Sequence, residues 1–191
     1  MVDRAYNFAA GPAVMPEPVL KRASSEMLNW HGCGMSVMEM SHRGSQFAEI
    51  YSEAKERFKR LLGVPDTHEV LFLQGGATAQ FAAIPLNLMD GRGADYAVTG
   101  NFSGIAAREA AKYGSVHIAY EGKGNGYTHI PTQSELDVDG ASAYFHYCAN
   151  NTIFGTAWDY VPETKGVPLV CDMSSEIMSH PVDVSRYALI Y

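Results

Sequence analysis

Apolar residues recur at spacings of three and four from Phe47 through Ile50, Ala54 and Phe58 to Leu61. That spacing marks one face of a helix that starts near Ser45. Glu53–Arg57 and Glu56–Arg60 stand four apart on its wet side, and Gly63-Val64-Pro65 stops it. An earlier helix is predicted from about Pro16, whose ring suits a helix start, to about Trp30, before the break Gly32-Cys33-Gly34. Past the second helix the pattern changes. Glu69-Val70-Leu71-Phe72-Leu73 is a short apolar run that fits a buried strand. It passes through Gln74-Gly75-Gly76-Ala77-Thr78 into a helical pattern over 80–84, which Pro85 should kink or end early. Further strands are predicted at 94–98, 116–120, 143–147, 168–171 and 188–191, with a helix over 103–113 and a Gly-rich surface loop over 122–126. Helical and strand patterns alternate without repeats or low-complexity tracts, which argues for an α/β fold around a largely parallel sheet. Ligands of such sheets bind beyond the C-terminal ends of the strands. The chain stops within or at the end of an apolar strand, so it is expected to be incomplete.

Composition narrows this picture rather than redrawing it. Of 191 residues 47% are hydrophobic and 18% charged, an ordinary globular balance that suits one domain with a real core. The net charge of −7 is spread along the chain, with no cluster of Lys and Arg of the kind a nucleic-acid surface needs. No apolar run approaches the ~20 residues that span a bilayer, and Met1-Val2-Asp3-Arg4 lacks the apolar stretch of a secretory signal. Cys33, Cys148 and Cys171 form no CxxC pair and leave one unpaired in any disulfide scheme. They are read as reduced and as structural filling. The seven histidines show no metal-site spacing. A soluble, cytoplasmic protein that binds neither membrane, nucleic acid nor metal is expected.

Four places carry candidate chemistry. At Leu73–Gln80 two glycines turn the backbone sharply after an apolar run, and the free amides of the next helix form an anion site, to which Thr78 adds a hydroxyl. Glycines also end strands with no ligand at all, and the string is neither GxGxxG nor a P-loop. Asp172 closes an apolar run and sits at the functional rim. It either pairs with a protonated ring nitrogen or caps the next helix. Asp95 opens its strand at the other rim and is left out. Arg43 in Ser41-His42-Arg43-Gly44 is either a fork for carboxylate or phosphate or a solvated loop residue. Asn150-Asn151-Thr152 places polar groups, or simply a turn, just past another strand.

Longer strings go further. Asn7-Phe8-Ala9-Ala10-Gly11-Pro12 resembles the opening of phosphoserine aminotransferases. So do 36–44 (Ser-Val-Met-Glu-Met-Ser-His-Arg-Gly), Gln80-Phe81, Pro85-Leu86-Asn87, His146-Tyr147-Cys148 and 181–187 (Pro-Val-Asp-Val-Ser-Arg-Tyr). They follow the family's order with family-like gaps, from near residue 6 to residue 191.

The resemblance implies an aspartate-aminotransferase-like, fold-type-I enzyme: a mostly parallel central sheet flanked by helices, truncated before the C-terminal small domain. Residues 1–15 would be an N-terminal arm and 16–191 an incomplete large domain that binds pyridoxal 5′-phosphate. The family moves an amino group between L-glutamate and 3-phosphohydroxypyruvate, making phosphoserine, as a homodimer. In many bacteria it also serves vitamin B6 synthesis. Carried over by position, Gly76, Ala77 and Thr78 would hold the cofactor phosphate and Phe102 would stack on the ring, where the family often has Trp. Thr152 would bond near the ring hydroxyl, Asp172 would pair with the ring nitrogen, and His42 and Arg43 would bind substrate anions, reaching into the partner subunit's site. Some members have Arg at the position of Thr78, and Ala10 stands where Ser is frequent. The Schiff-base lysine of the family lies beyond a strand like the one ending at Tyr191, so no catalytic residue is assigned and the chain alone is expected to be inactive. The rival readings are alanine–glyoxylate transamination or cysteine desulfuration on the same fold, a non-catalytic fragment or binding module, and a nicotinamide-binding Rossmann protein, which the missing GxGxxG argues against.

Overall fold

The computed structural model describes residues 4–191. Met1–Asp3, most of the stretch read for a signal, lie outside the described residues. Two compact units divide the chain, one reaching Arg60 and the other covering Leu61–Tyr191.

In the first unit residues 4–15 are exposed and irregular. Helix α1, Glu17–Glu26, starts with Pro16 at its N-cap and is shorter than predicted. The apolar residues near Trp30 belong instead to a separate short turn, Trp30–Gly32, where Trp30 is buried and stacks on His31 at 4.1 Å. Helix α2, Ser45–Leu62, has the predicted start and length. Its stripe is only half covered: Phe47, Ile50 and Phe58 are partly buried, and Ala54 and Leu61 are exposed.

The second unit is built on a parallel sheet. Strands β1 (Ala94–Val98), β2 (Val116–Glu121), β3 (Phe145–Cys148), β6 (Leu169–Asp172) and β7 (Leu189–Ile190) lie in the order β2-β1-β3-β6-β7. A small antiparallel hairpin, β4 (Asn150–Asn151) with β5 (Thr156–Ala157), follows β3. Strand β1 is buried along its whole length, as expected for a parallel strand covered on both faces. One face, with Tyr96, Val98, Tyr144 and Val170, packs with residues of helices α3 (Gly76–Leu88) and α4 (Asn101–Ala110). The other gathers Phe145, Tyr147, Cys171, Trp158 and Tyr187 under the loops. At the N-terminal rim the fully buried Asp95 accepts bonds from Ser142 Oγ (2.7 Å) and Asp139 N (2.8 Å) and lies 3.1 Å from His117 Nδ1, a structural clamp.

Two predicted elements differ. Residues 69–73 form no strand of the sheet, and Leu71, Phe72 and Leu73 are 63%, 47% and 63% exposed. An apolar, β-prone string fits a buried pleated site, but a strand exists only where a neighbour supplies the ladder. Pro85 does not end α3 at once; it is buried inside the helix, which stops three residues later at Leu88. The missing proline amide costs one bond, and Met89 N still reaches Pro85 O at 3.1 Å.

Candidate active site

The strand order reverses between β1 and β3, since β2 lies to one side of β1 and β3 to the other. In open α/β sheets that reversal leaves a crevice outside the C-terminal strand ends. The chain fills the edges of this crevice with polar groups. After β1, Ser103 Oγ accepts from Thr99 N and Gly100 N, both at 3.0 Å, and donates to Gly100 O at 3.1 Å, closing a tight strand-to-helix turn. After β3, Asn151 Nδ2 donates to Thr99 O at 2.8 Å. A Cβ at Gly100 would overlap the Asn151 amide, so only glycine fits there. The resulting recess is lined by Thr99, Phe102, Ser103, Cys148, Asn150 and Asn151. Thr99 Oγ1 is buried without a hydrogen-bond partner, and Phe102 is 40% exposed. Thr152 follows Asn151 at the start of the hairpin turn.

Asp172 ends β6 directly opposite Cys148 of β3. It is 6% exposed. Its Oδ1 accepts from Ser174 N at 2.9 Å and Ser174 Oγ at 2.6 Å, and Cys148 Sγ donates to Oδ2 at 3.7 Å. All three donors are neutral. The bond from Ser174 N is the capping role considered for Asp172, though a turn rather than a helix comes after it. Burial, then the charge of Asp172, push the Cys148 thiol up, so it stays protonated. Tyr191 frames the carboxylate from the β7 side: Tyr191 N donates to Cys171 O at 3.0 Å and Met173 N to Tyr191 O at 2.7 Å. The Tyr191 hydroxyl lies 2.8 Å from Nε2 of His146, a buried ring stacked on Tyr96 at 4.7 Å. Burial lowers His146 to about 3, so it is neutral.

Helix α3 opens at Gly75, in the left-handed region at φ 98°, with no side-chain cap. Its first internal bond is Ala79 N to Gly75 O at 3.2 Å, which leaves the amides of Gly76, Ala77 and Thr78 as the unpaired donors of the first turn. That turn is largely exposed. A Cβ on Gly75 would stand 2.5 Å from the Ala79 Cβ. Gly75→Ala is therefore expected to lower stability by about 2–4 kcal/mol, combining left-handed strain with overpacking. Urea unfolding of the two proteins checks it.

The predicted residues thus distribute unevenly. Phe102 lines the recess, Thr152 adjoins it, and Asp172 touches its Cys148 wall. Gly76, Ala77 and Thr78 do not line it; they sit on α3, which packs against α4. His42 and Arg43 lie in the first unit, exposed in a turn where Gly44 N donates to Ser41 O at 2.9 Å. No lysine lines the recess, and Lys165 Nζ is bound to Val138 O. Sequence reasoning passes over Cys148, Ser103 and Ser174. Cys148 reads as filling in the sequence, and only strand register reveals it as the neighbour of Asp172. Asn151 carries a signal in its place past β3, but its bond to Thr99 spans 52 residues. Among the described residues no group of three or more His, Cys, Asp or Glu could hold a metal, and no helix is long and apolar enough to cross a membrane.

This fold and rim define an α/β domain of the aminotransferase kind, with the crevice at the strand ends as its candidate site. The chain belongs to the class-V aminotransferase family, whose model matches residues 5–190. It is 54% identical to the phosphoserine aminotransferase of Pseudomonas fluorescens (strain SBW25) over the whole chain, and spans about half (53%) of that relative's length. Among solved structures, phosphoserine aminotransferase from Bacillus circulans subsp. alkalophilus superposes with a TM-score of 0.94 at 42% identity, over 98% of this chain and 52% of that one. A PLP-bound phosphoserine aminotransferase from Trichomonas vaginalis gives 0.90 at 38%, over 98% and 53%.

Proposed function

We propose that the protein is a phosphoserine aminotransferase, exchanging an amino group between L-glutamate and 3-phosphohydroxypyruvate with pyridoxal 5′-phosphate as cofactor. One observation carries the cofactor reading. Asp172 is a buried carboxylate whose bonds come only from neutral donors, and it has no ion-pair partner among the described residues. Buried charges are paired as a rule. A protonated pyridine nitrogen is a cation that a crevice of this kind admits.

The other residues fit the same group. The uncapped amides of Gly76, Ala77 and Thr78 offer donors and a helix dipole to its phosphate. Phe102 presents a face for offset stacking, worth about 0.5–1.5 kcal/mol beyond burial. Thr152 would donate near the ring hydroxyl, and Thr99 Oγ1, on a residue lining the recess, is a buried polar atom without a partner. When bound, the protonated ring supplies an electron sink for the carbanion at the amino acid's Cα. Asp172 holds the ring nitrogen's proton in place, Phe102 fixes the ring plane, and the buried strand ends keep water from the face beneath it. His42 and Arg43 supply cationic or hydrogen-bonding contacts for substrate carboxylate and phosphate, delivered to the partner subunit's site in a homodimer. In this reading residues 1–15 are an arm, residues from 16 onward belong to the large domain, and the protein works in cytoplasmic serine synthesis and, where the organism requires it, in vitamin B6 synthesis.

The test is an amino-transfer assay of the complete protein with L-glutamate and 3-phosphohydroxypyruvate, with alanine and glyoxylate as the competing pair. Phosphoserine formation with the first pair is expected. Activity only with the second pair would replace this reading by the rival transaminase.

A further inference from the structure

We propose that Cys148 is a positioning residue for the cofactor, acting through Asp172; the inference rests on the pyridoxal-phosphate reading above. Cys148 and Asp172 are paired at the last rung between β3 and β6, so their side chains leave the sheet on the same face. Ser174 supplies both bonds to Oδ1. The bond to Oδ2 comes from Cys148 Sγ at 3.7 Å. Together these contacts fix the plane of the carboxylate, and the Cys148 bond alone ties it to the neighbouring strand.

On its other side Cys148 lines the recess together with Ser103. That serine closes the Thr99–Gly100 turn from which α4 and Phe102 start. Cys148 thus bonds the carboxylate that would face the ring nitrogen and lines the recess beside the helix turn that carries Phe102. The other titratable groups around Asp172 are Cys171 and Tyr191, both held protonated by burial. Neither competes as an anion.

The choice of sulfur rests on donor strength. A thiol is a weak donor, so it orients Oδ2 and leaves most of that oxygen's charge for the ring nitrogen. An alanine would leave Oδ2 without its protein donor. A serine would restore a donor of nearly the same size.

Two measurements test this. Infrared spectra of the purified protein show the S–H stretch of three thiols, and Cys148→Ala identifies the band of Cys148. Asp172→Asn is expected to move that band to higher frequency as the hydrogen bond weakens. A band that stays in place overturns the proposal without any cofactor present. Equilibrium titration with pyridoxal phosphate then compares wild type, Cys148→Ala and Cys148→Ser, with circular dichroism as the check of folding. Cys148→Ala is expected to bind about tenfold more weakly, the loss of one modest hydrogen bond to a charged group, and Cys148→Ser within about threefold of wild type. Equal affinity in all three proteins overturns the proposal. So does a serine variant as weak as the alanine one, which would mean that the thiol only fills space. A wild-type protein that takes up no cofactor overturns the cofactor reading and this role with it, and the infrared band still reports separately whether the thiol bonds Asp172.

Discussion

Asp172→Ala is expected to weaken pyridoxal-phosphate binding by about a hundredfold to a thousandfold, and Asp172→Asn by nearly as much. Removing one partner of a buried ion pair costs about 3–5 kcal/mol, and each 1.4 kcal/mol is a factor of about ten. Asp172 meets the condition for a loss of this size, because it is 6% exposed and its protein contacts are neutral. Its hydrogen-bonding neighbours Cys148 and Ser174 carry no charge that would balance a ring cation in its absence. Asparagine keeps the shape and accepts from Ser174, but it carries no charge and turns an amide N–H₂ toward either Ser174 or the ring. The check is equilibrium titration at fixed salt, with urea unfolding to separate lost binding from lost fold. A loss below about tenfold would mean that Asp172 is a turn residue whose work is done by its bonds to Ser174. In the complete protein amino transfer should fall further than binding, because the protonated ring nitrogen matters most when charge builds at the amino acid.

Local pattern makes most of the second unit legible. Strands 94–98 and 116–121 stand out as short, largely apolar runs; the first is buried along its whole length, and the second, at the sheet edge, is only partly covered. Asp172 is legible because an acid closing such a run lies at the rim where ligands bind. Matters of partnership are not. Residues 69–73 have the composition of a strand, but composition carries no information about the neighbour that would pair with them. Helix α3 runs past Pro85 because burial outweighs the one lost bond. Cys148 and Ser103 are invisible as site residues for the same reason, and Asn151 shows only as a polar position past a strand. Their roles depend on bonds to Asp172, to the Thr99–Gly100 turn and to Thr99 O, which only strand register and the reversal of strand order bring within reach. The longer strings identify the family, while the geometry shows which side chains share one crevice and which, like His42 and Arg43, belong to another unit.

The stability of the protein should fall steeply as pH drops below about 6.5, and His146 should account for a large part of that fall. His146 is buried in β3 with Tyr96 stacked on it and the Tyr191 hydroxyl on Nε2, while Nδ1 has no partner. Tyr96 itself bonds Tyr144 at 2.7 Å. These neighbours are neutral phenols whose ionisation burial pushes up, so none of them compensates a charged imidazole. The folded state therefore holds the ring at about 3 against an ordinary 6.5. The unfolded chain binds the proton first, so the contribution is fully present above pH 6.5 and is lost progressively as pH falls toward 3. The slope from this one group is about 1.4 kcal/mol per pH unit. His146→Phe keeps an aromatic ring beside Tyr96 and removes the titration. Subtracting its unfolding curve from that of wild type cancels the carboxylates, which titrate alike in both. The lost bond to Tyr191 enters as an offset constant over this range, since Tyr191 does not ionise in it. The difference in stability should change by about 3 kcal/mol between pH 6.5 and 4, in favour of the variant at the acid end. Parallel curves would mean that the ring is solvated or paired in solution, and that the stack of Tyr144, Tyr96, His146 and Tyr191 opens more readily than its burial implies.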